Sequence, residues 1–350
     1  MDDVWTSADA TPGEIDEALR ELLKARHAET AAYVPARVLN LVVIADREWR
    51  GEILNRLERV GRFYPSRTIL CCVDPGRATL SARAQVSTDD DVPAAGFVVG
   101  RENVVLEVGP GHLPHLDSII DPLVVSDLPT VVWSPHGYPE GVDSLIALAQ
   151  IVLLDSLDDP AVRDALGRAE HLAGRVHVVD LSWLRSTPWR ERIAGTFDPP
   201  ERRRELGQIS SVTVRHRPDS AAAALLFLGW MASRLDWTPS PMIARDGRHI
   251  GKARSRRQEV VLTVEPHEAQ GVPGLAGLTI ETAAGTEVSL ERGDGGLTKT
   301  RRYRDGTTAT WTVFGASRGE AGILGEGIRQ AMLRDHTYRP ALAAAHAMTI

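Results

Sequence analysis

The chain has 350 residues, of which 43% are apolar and 25% are charged, a composition that excludes disorder and indicates a globular protein of about two domains. Forty Lys and Arg residues stand against 47 Asp and Glu residues, and the net charge of −7 argues against a general electrostatic affinity for nucleic acid. The longest apolar run, residues 221–232, would span about 18 Å as a helix, short of the roughly 30 Å core of a bilayer. We therefore expect neither a nucleic-acid partner nor a membrane span.

The N-terminus and the cysteines favour a cytoplasmic location. Asp2 and Asp3 are acidic where a secretory signal is basic, and no apolar segment follows them. Cys71 and Cys72 are adjacent within an apolar run typical of a strand, so their side chains should point to opposite faces. This pattern excludes a disulfide framework and a cysteine-rich zinc site, and it fits a reducing compartment.

The first 182 residues alternate helical and strand patterns. A helix is predicted to begin at Thr11, followed by an apolar strand over residues 37–46, a helix over residues 47–62 and a second apolar strand over residues 66–74. Strand, helix and strand with short joints indicate a parallel crossover unit. Shorter alternating segments then predict antiparallel strands, before parallel-type runs return at residues 130–133, 151–155 and 176–181. We predict a Rossmann-like α/β domain with a mixed sheet over residues 1–182.

The remainder of the chain changes character twice. Residues 183–208 are rich in Trp, Arg and Pro and predict a helical connector that is interrupted at its prolines. Residues 209–350 predict an α+β domain, with an apolar helix ending near Trp237, an antiparallel meander and a C-terminal helix. Turn pairs such as Asp246-Gly247 separate the strands of the meander.

Motifs for a cofactor, a metal or catalysis are weak. The first strand-to-helix joint, Asp46 to Arg50, carries bulky and charged residues where a dinucleotide site needs glycines. Gly315 to Gly319 matches the Gly-x-Ser-x-Gly pattern of hydrolases. Such a hydrolase also needs an acid and a histidine later in the chain, and the short remainder offers only Asp335 and the adjacent His336. His112 and His115 have a spacing that some metal sites use, without a third ligand nearby. We expect no catalytic residue, no cofactor and no metal site.

Basic residues provide candidates for holding an anion. Five residues are the candidates for binding an anion. Three belong to a basic cluster in the second domain, namely Arg248, Lys252 and Arg254, and the other two are Arg67 and Arg318. Arg67 lies at the start of a predicted strand and Arg318 at the start of a predicted helix. A solvated basic hairpin explains the cluster equally well.

The connector combines tryptophan with arginine in a way that is typical of protein interfaces. Five of its residues are candidates for partner binding or for bracing an interface, namely Trp183, Arg185, Thr187, Trp189 and Arg190. Trp and Arg anchor interfaces because each buries a large area and keeps a directed polar group. An interdomain hinge that packs its own tryptophans is the alternative, and both interpretations remain open.

The string from Asp180 to Arg190 resembles the signature of the glucose-6-phosphate dehydrogenase assembly protein family, OpcA. Further similar segments follow in order along the chain, namely residues 35–42, 64–67, 121–129 and 324–338. The resemblance implies a non-catalytic protein that binds glucose-6-phosphate dehydrogenase, promotes its active oligomer and raises its activity in the oxidative pentose phosphate pathway. Such an activator binds the competent enzyme state better than the incompetent one and needs no chemistry of its own.

A different class of function stays open beside this one. A sugar-phosphate sensor or enzyme would use the crevice at the carboxyl ends of the sheet strands, with Arg67 or residues 248–257 holding the phosphate. This alternative predicts ligand binding or turnover by the purified chain alone. The sequence leaves the surface that meets the dehydrogenase, the stoichiometry and self-association undetermined.

Overall fold

The computed structural model describes residues 3–29, 33–61, 63–88, 98–157, 159, 161–256, 258–293, 295–314 and 319–349. The chain forms two compact units, the first comprising Met1–Leu154 with Arg175–Val179 and the second comprising Asp155–Gly174 with Asp180–Ile350. Each unit contains a sheet and several helices, so the predicted two-domain fold of mixed α/β content is confirmed. The predicted boundaries differ from this division, since residues 155–174 and 183–208 group with the second unit.

The first unit is built around a nine-stranded mixed sheet. Its strands are β1 (Asp3–Ser7), β2 (Tyr33–Pro35), β3 (Leu39–Asp46), β4 (Ser66–Val73), β5 (Ser81–Thr88), β6 (Val98–Val108), β7 (Thr130–Trp133), β8 (Ile151–Leu154) and β9 (His177–Asp180). They are arranged in the order β1-β5-β6-β4-β3-β7-β8-β9, with β2 beside β6. The run β6-β4-β3-β7-β8 is parallel, whereas β5 is antiparallel to both β6 and β1.

The central strand β3 shows why the parallel part of this sheet is apolar. Seven of its eight residues are buried, as expected for a strand that is covered on both faces. Its one polar interior side chain, Asn40, is completely buried and fully engaged. The Asn40 amide donates to the Val125 carbonyl at 3.0 Å, and the Val125 N–H donates back to Asn40 Oδ1 at 2.9 Å. Asn40 therefore fixes the loop before β7 against the centre of the sheet.

The helices of the first unit are short apart from the first. They are α1 (Pro12–Glu29), α2 (Arg50–Gly61), α3 (Leu116–Ile120) and α4 (Pro139–Leu145). The start of α1 is the predicted capping box, because Thr11 and Glu14 exchange hydrogen bonds. A 3-10 turn, Arg47–Trp49, separates β3 from α2.

The second unit contains a nine-stranded sheet that is antiparallel except for one pair. Its strands are β10 (Ile209–His216), β11 (Thr238–Pro239), β12 (Ile243–Arg245), β13 (Arg248–Arg254), β14 (Glu259–Pro266), β15 (Leu275–Thr282), β16 (Glu287–Gly293), β17 (Gly296–Arg302) and β18 (Thr308–Phe314). The order is β11-β13-β14-β10-β15-β16-β17-β18, with β12 beside β13. The exception is β10, which runs parallel to β14.

The hairpin between β12 and β13 follows directly from its turn residues. Asp246 and Gly247 have φ values of 51° and 74°, the left-handed conformation that the tightest hairpin turns require at both central positions. The Asp-Gly pair was the predicted turn signal at this point. Gly247 meets the requirement without the steric cost that a β-carbon would add.

The helices of the second unit pack largely on one another and on the sheet. They are α5 (Val162–Ala173), α6 (Leu181–Arg185), α7 (Thr187–Phe197), α8 (Pro200–Leu206), α9 (Ala221–Arg234), α10 (Gly319–Ala331) and α11 (Tyr338–His346). Helix α5, predicted within the first domain, contacts α9 and α11 instead. Within the described ranges, no helix has the length and apolar character needed to cross a bilayer.

The contact between α9 and α11 depends on one glycine. A β-carbon at Gly229 would lie 2.1 Å from the Ala341 carbonyl oxygen and 2.8 Å from the Ala345 nitrogen. Ala341 and Ala345 are themselves completely buried. The backbones of the two helices therefore approach too closely for any side chain at position 229.

We predict that Gly229→Ala destabilises the protein by about 1–3 kcal/mol, because α11 must move away from α9 to admit the methyl group. Urea unfolding followed by circular dichroism measures this change. Gly195→Ala is the matched control, since a β-carbon at this helical position meets nothing within 4 Å. The control should stabilise the protein by about 0.5–1 kcal/mol through helix propensity. Equal effects of the two substitutions would contradict the packing argument.

Candidate functional site

The five interface candidates lie in α6 and α7, and their side chains point into the second unit. Trp183 is 2% exposed and Trp189 is 1% exposed. Arg190 is buried as well, while Thr187 is half-buried. In this conformation neither tryptophan presents a surface that another macromolecule could contact. Of the two roles that the sequence left open, the burial favours bracing.

Trp183 and Arg190 form a stacked pair. The Arg190 guanidinium carbon lies 3.3 Å from the centroid of the Trp183 ring. The same guanidinium donates to the Trp183 carbonyl at 3.2 Å and to Thr187 Oγ1 at 2.8 Å. A desolvated cation–π contact of this kind contributes about 2 kcal/mol. Arg190 therefore holds the end of α6 against the first turns of α7.

Asp335 joins this pair from the far end of the chain. The Trp183 indole N–H donates to Asp335 Oδ2 at 2.9 Å, and Arg190 Nη1 lies 3.8 Å from the same oxygen. The Thr337 N–H donates to the other oxygen at 2.8 Å. Burial by itself raises the pKa of Asp335, but the hydrogen bonds from Thr337 and Trp183 outweigh it and lower the pKa. Asp335 thus stays ionised opposite Arg190.

Asp180 is the second carboxylate of the cluster and, unlike the half-buried Asp335, is 0% exposed. As the N-cap of α6, its Oδ1 accepts from the Ser182 N–H at 2.9 Å and from the Ser156 N–H at 3.2 Å. Its Oδ2 accepts from the Ser156 and Tyr338 hydroxyls. The Tyr338 ring also lies 5.5 Å from that of Trp183, centroid to centroid. Each carboxylate oxygen of Asp180 therefore accepts two hydrogen bonds.

A third carboxylate, Asp155, completes the cluster on the side of α6. The Arg185 guanidinium lies 2.6 Å from Asp155 Oδ2, and the Ser182 hydroxyl donates to Oδ1 at 2.5 Å. Both charged side chains are 8% exposed, so the pair is largely shielded from water. Removing one partner of such a pair leaves an uncompensated buried charge.

Burial shifts the ionisation of this network, which we call the Asp180–Asp335 network. Its members are Asp155, Asp180, Trp183, Arg185, Arg190, Asp335 and Tyr338. Burial, reinforced by the charge of Asp155, raises the pKa of Asp180 from 3.8 to about 6. Burial lowers the pKa of Arg190 to about 10, against the opposing influence of Asp335, so it stays cationic at neutral pH. Sequence reasoning found the Trp and Arg members but missed Asp155, Asp180 and Tyr338 as their partners. The only sequence feature that pointed to one of these partners is the position of Asp180 at the start of the string that ends at Arg190.

The structure does not support an anion-binding role for Arg67. Its guanidinium donates to Glu102 at 2.6 Å and to the Leu123 carbonyl at 2.9 Å, and both charged side chains are buried. Arg37 donates to the second oxygen of Glu102, also at 2.6 Å. Glu102 is thus shared by two arginines inside the first unit, and Arg67 serves this buried cluster.

The remaining anion-binding candidates are spread along one strand. Arg248, Lys252 and Arg254 occupy alternate exposed positions on β13. Lys252 lies 2.7 Å from Glu259, and Arg248 lies 3.6 Å from Glu265. The strand is a solvated face whose charges are partly paired. Arg318 and the centre of the Gly315–Gly319 motif lie outside the described residues.

The alternative function would use the carboxyl ends of the strands of the first unit. There the 3-10 turn Arg47–Trp49 occupies the joint where a dinucleotide site has glycines. The Tyr138 hydroxyl donates to Asp46 Oδ1, and the Asp46 N–H donates to His136 Nδ1 at 2.9 Å. Burial lowers the pKa of His136, although nearby Asp46 opposes the shift. The histidine is therefore neutral near pH 7.

Charges at the same edge of that sheet are paired with each other. Arg47 lies 2.6 Å from Asp74 at the end of β4. Arg50 and Arg77 lie 3.1 Å and 2.6 Å from Glu107 near the end of β6. Each of these three arginines therefore has a carboxylate partner within the unit, and Glu107 is shared by two of them.

The histidine pair that suggested a metal site has a local structural role. His112 and His115 lie in one 3-10 turn, Pro110–His115, and His112 Nδ1 accepts from the Gly109 N–H at 3.0 Å. Across the part of the chain that the structure describes, no three side chains of His, Cys, Asp or Glu gather in a metal-binding arrangement. Asp335, the acid considered for the hydrolase motif, is held by Trp183 and Thr337.

We predict that Trp189→Ala lowers the free energy of unfolding by about 3–5 kcal/mol, because it removes a fully buried indole and leaves a cavity. Urea unfolding at neutral pH measures the loss. Trp49→Ala is the matched control, since this tryptophan is 45% exposed and should cost far less. A Trp189→Ala protein with wild-type stability would show that the indole does not brace the unit.

We predict that Asp180→Asn changes how stability depends on pH. The folded wild-type carboxyl holds its proton to a higher pH than the unfolded one, so its contribution to stability falls as the pH rises from about 4 to above 6. Asparagine caps a helix equally well but does not titrate. Thermal unfolding of both proteins at pH 5 and pH 7.5 should show the difference moving in favour of the variant at pH 7.5. The same difference at both pH values would contradict the shifted pKa.

Family models match most of the chain in two segments. Residues 58–171 match the model that describes the N-terminal domain of a glucose-6-phosphate dehydrogenase subunit. Residues 176–342 match the model that describes the C-terminal domain of the same kind of subunit. The second segment contains all five interface candidates and Asp335.

Curated relatives from cyanobacteria share the same likeness. A protein of Synechocystis named "Putative OxPP cycle protein OpcA" is 28% identical over 67% of this chain and 50% of its own length. A protein of Synechococcus elongatus with the same name is 24% identical over 72% of this chain and 57% of its own length. The chain thus spans about half the length of the curated relatives it matches.

Among solved structures, the chain is similar to a putative oxidoreductase from Parabacteroides merdae. The TM-score is 0.53 at 7% sequence identity, and the match covers 89% of this chain and 96% of that one. Identity this low indicates a shared fold only. Taken together with the two consecutive family matches, the signature from Asp180 to Arg190 assigns the chain to a family: it belongs to the OpcA glucose-6-phosphate dehydrogenase assembly proteins.

Proposed function

We propose that this protein is a non-catalytic assembly factor and allosteric activator of glucose-6-phosphate dehydrogenase. It acts by protein–protein contact in the oxidative pentose phosphate pathway and thereby raises NADPH production. The observation that carries the proposal is the pair of family matches over residues 58–171 and 176–342, both described as domains of a glucose-6-phosphate dehydrogenase subunit. The cyanobacterial relatives, named for the OxPP cycle, support the same pathway.

The arrangement of charged groups is compatible with a protein that performs no chemistry. Asp155, Asp180 and Asp335 are used in internal hydrogen bonds and ion pairs. Catalytic groups with shifted pKa values ordinarily face a cavity that admits a substrate. In the Asp180–Asp335 network the shifted groups face one another instead. This supports a scaffold whose buried charges maintain a shape.

The proposed activation is a matter of differential affinity. A protein that binds the active oligomer of the dehydrogenase more tightly than its inactive form shifts the equilibrium toward the active form. A difference of about 1–3 kcal/mol corresponds to a 5- to 150-fold effect. A rigid surface serves this purpose better than a flexible one, because less ordering entropy is lost on binding. The proposal places both proteins in the cytoplasm, without a cofactor.

We predict that the purified chain raises the activity of the dehydrogenase from the same host and increases its oligomer size. The reason is that the bound chain stabilises the competent assembly. Initial rates with and without the chain measure activation, and light scattering during size-exclusion chromatography measures the oligomer. The effect should saturate at a fixed stoichiometry.

Serum albumin at the same mass concentration controls for crowding and surface loss. Unchanged activity together with unchanged oligomer size would refute the proposal. Turnover of a sugar phosphate by the chain alone would favour the alternative enzyme function instead.

A further inference from the structure

A groove on the second unit lies beside the ends of three helices. Its apolar end is a cavity of about 280 Å³, lined mainly by side chains of α7 and α9, namely Ile193, Ala194, Phe197, Trp230 and Met231. Phe197 ends α7 and Trp230 lies in the last turns of α9. This cavity resembles the pocket that receives an apolar anchor residue at a protein interface.

The other end of the groove is basic. A cavity of about 560 Å³ is lined by four arginines and one carboxylate, namely Arg203, Arg204, Arg234, Arg256 and Asp236. The two cavities share the lining residues Arg203, Leu206, Arg234 and Leu235, so they lie next to each other. We call the combined feature the α8–α9 groove. It places a local excess of positive charge on a chain whose net charge is −7.

Two of the four arginines have carboxylate partners within the chain. Arg203 lies 3.4 Å from Asp198, and Arg256 lies 3.1 Å from Asp236. Both pairs are exposed and therefore weak. The side chains of Arg204 and Arg234 make no hydrogen bond or ion pair with any residue that the structure describes. The groove thus keeps two guanidinium groups available for the carboxylates of a partner.

Arginine in the last turn of a helix also complements the helix dipole. Arg203 and Arg204 occupy the last turn of α8, and Arg234 ends α9. The dipole accounts for these arginines on their own helices. It does not account for their convergence on one groove, nor for the apolar cavity next to it.

We propose that the α8–α9 groove docks an acidic segment of the dehydrogenase, in which an apolar side chain lies next to two carboxylates. The inference rests on the proposed function and assigns the contact surface. The apolar side chain fills the cavity beside Phe197 and Trp230, while the carboxylates pair with Arg204 and Arg234. Exposed arginines around an apolar pocket are typical of protein interfaces, whereas small ligands are mostly enclosed by their sites.

The test compares variants of the full chain for affinity toward the host dehydrogenase, measured by isothermal titration calorimetry. The double variant Arg204→Gln with Arg234→Gln should bind about tenfold more weakly. Raising the salt concentration should weaken the wild type more than this variant, because salt screens the exposed charges.

A matched control removes two exposed arginines elsewhere. Arg59, in the last turn of α2, and Arg245, on β12, are both exposed, so Arg59→Gln with Arg245→Gln produces the same change in net charge. This control should bind like the wild type. Thermal unfolding of both double variants shows whether each is folded.

A second variant tests the apolar end without removing a buried side chain. Ala194 is exposed and lines that cavity, so Ala194→Trp should fill it and weaken binding, whereas Ala194→Ser should leave binding unchanged. Weaker binding of both groove variants, with both controls intact, supports the docking surface.

The outcomes separate this inference from the proposed function. If the wild type does not bind the dehydrogenase, the proposed function itself fails. If the wild type binds and the groove variants bind equally well, or the controls weaken to the same extent, the groove is not the docking surface. Two further results would also overturn the inference, provided that the groove variants bind the dehydrogenase as tightly as the wild type. The first is binding of inorganic phosphate that the groove variants lose. The second is self-association that the groove variants lose.

Discussion

The need to satisfy buried charge governs the second unit of this protein. Asp180 has no exposed surface and Asp155 is 8% exposed, so both carboxylates must find their partners inside the fold, and the half-buried Asp335 faces the buried Arg190. The partners come from widely separated parts of the chain, since Trp183 reaches Asp335 and Tyr338 reaches Asp180. Helices α6 and α7 are thereby fixed on both sides. Helix α8 follows α7 directly and packs against it, so the contacts that hold α7 also help to position α8.

The proposed function separates the part of the second unit that maintains shape from the part that meets the partner. The Trp and Arg residues of α6 and α7 have the composition of an interface, but Trp183, Trp189 and Arg190 are buried within the second unit. In the proposed docking mode, the contacts with the partner are made by Arg204 and Arg234, which are exposed and line the α8–α9 groove. An activator benefits from such a division, because a firmly held groove loses little entropy when a partner binds.

Much of the fold could be predicted from the sequence because it depends on interactions between residues that are close in sequence. The apolar runs that became β3 and β4, the capping box of α1 and the Asp246-Gly247 turn all depend on neighbouring residues. The burial of Trp183 and Trp189 could not be read in this way. Two partners of Trp183, Asp335 and Tyr338, lie far along the chain, and a single sequence does not reveal which carboxylate meets which arginine. The same limitation applies to Arg67, whose Glu102 partner is 35 residues away, and to the parallel pairing of β10 with β14.

The hydrogen bond between Trp183 and Asp335 joins residues that are 152 positions apart. During synthesis at about 5–20 residues per second, the indole therefore emerges some 8–30 s before its acceptor exists. Throughout that interval the Trp183 indole lacks Asp335 and the buried Asp180 lacks Tyr338. The second unit therefore cannot complete these contacts until residues 335–338 have been synthesised.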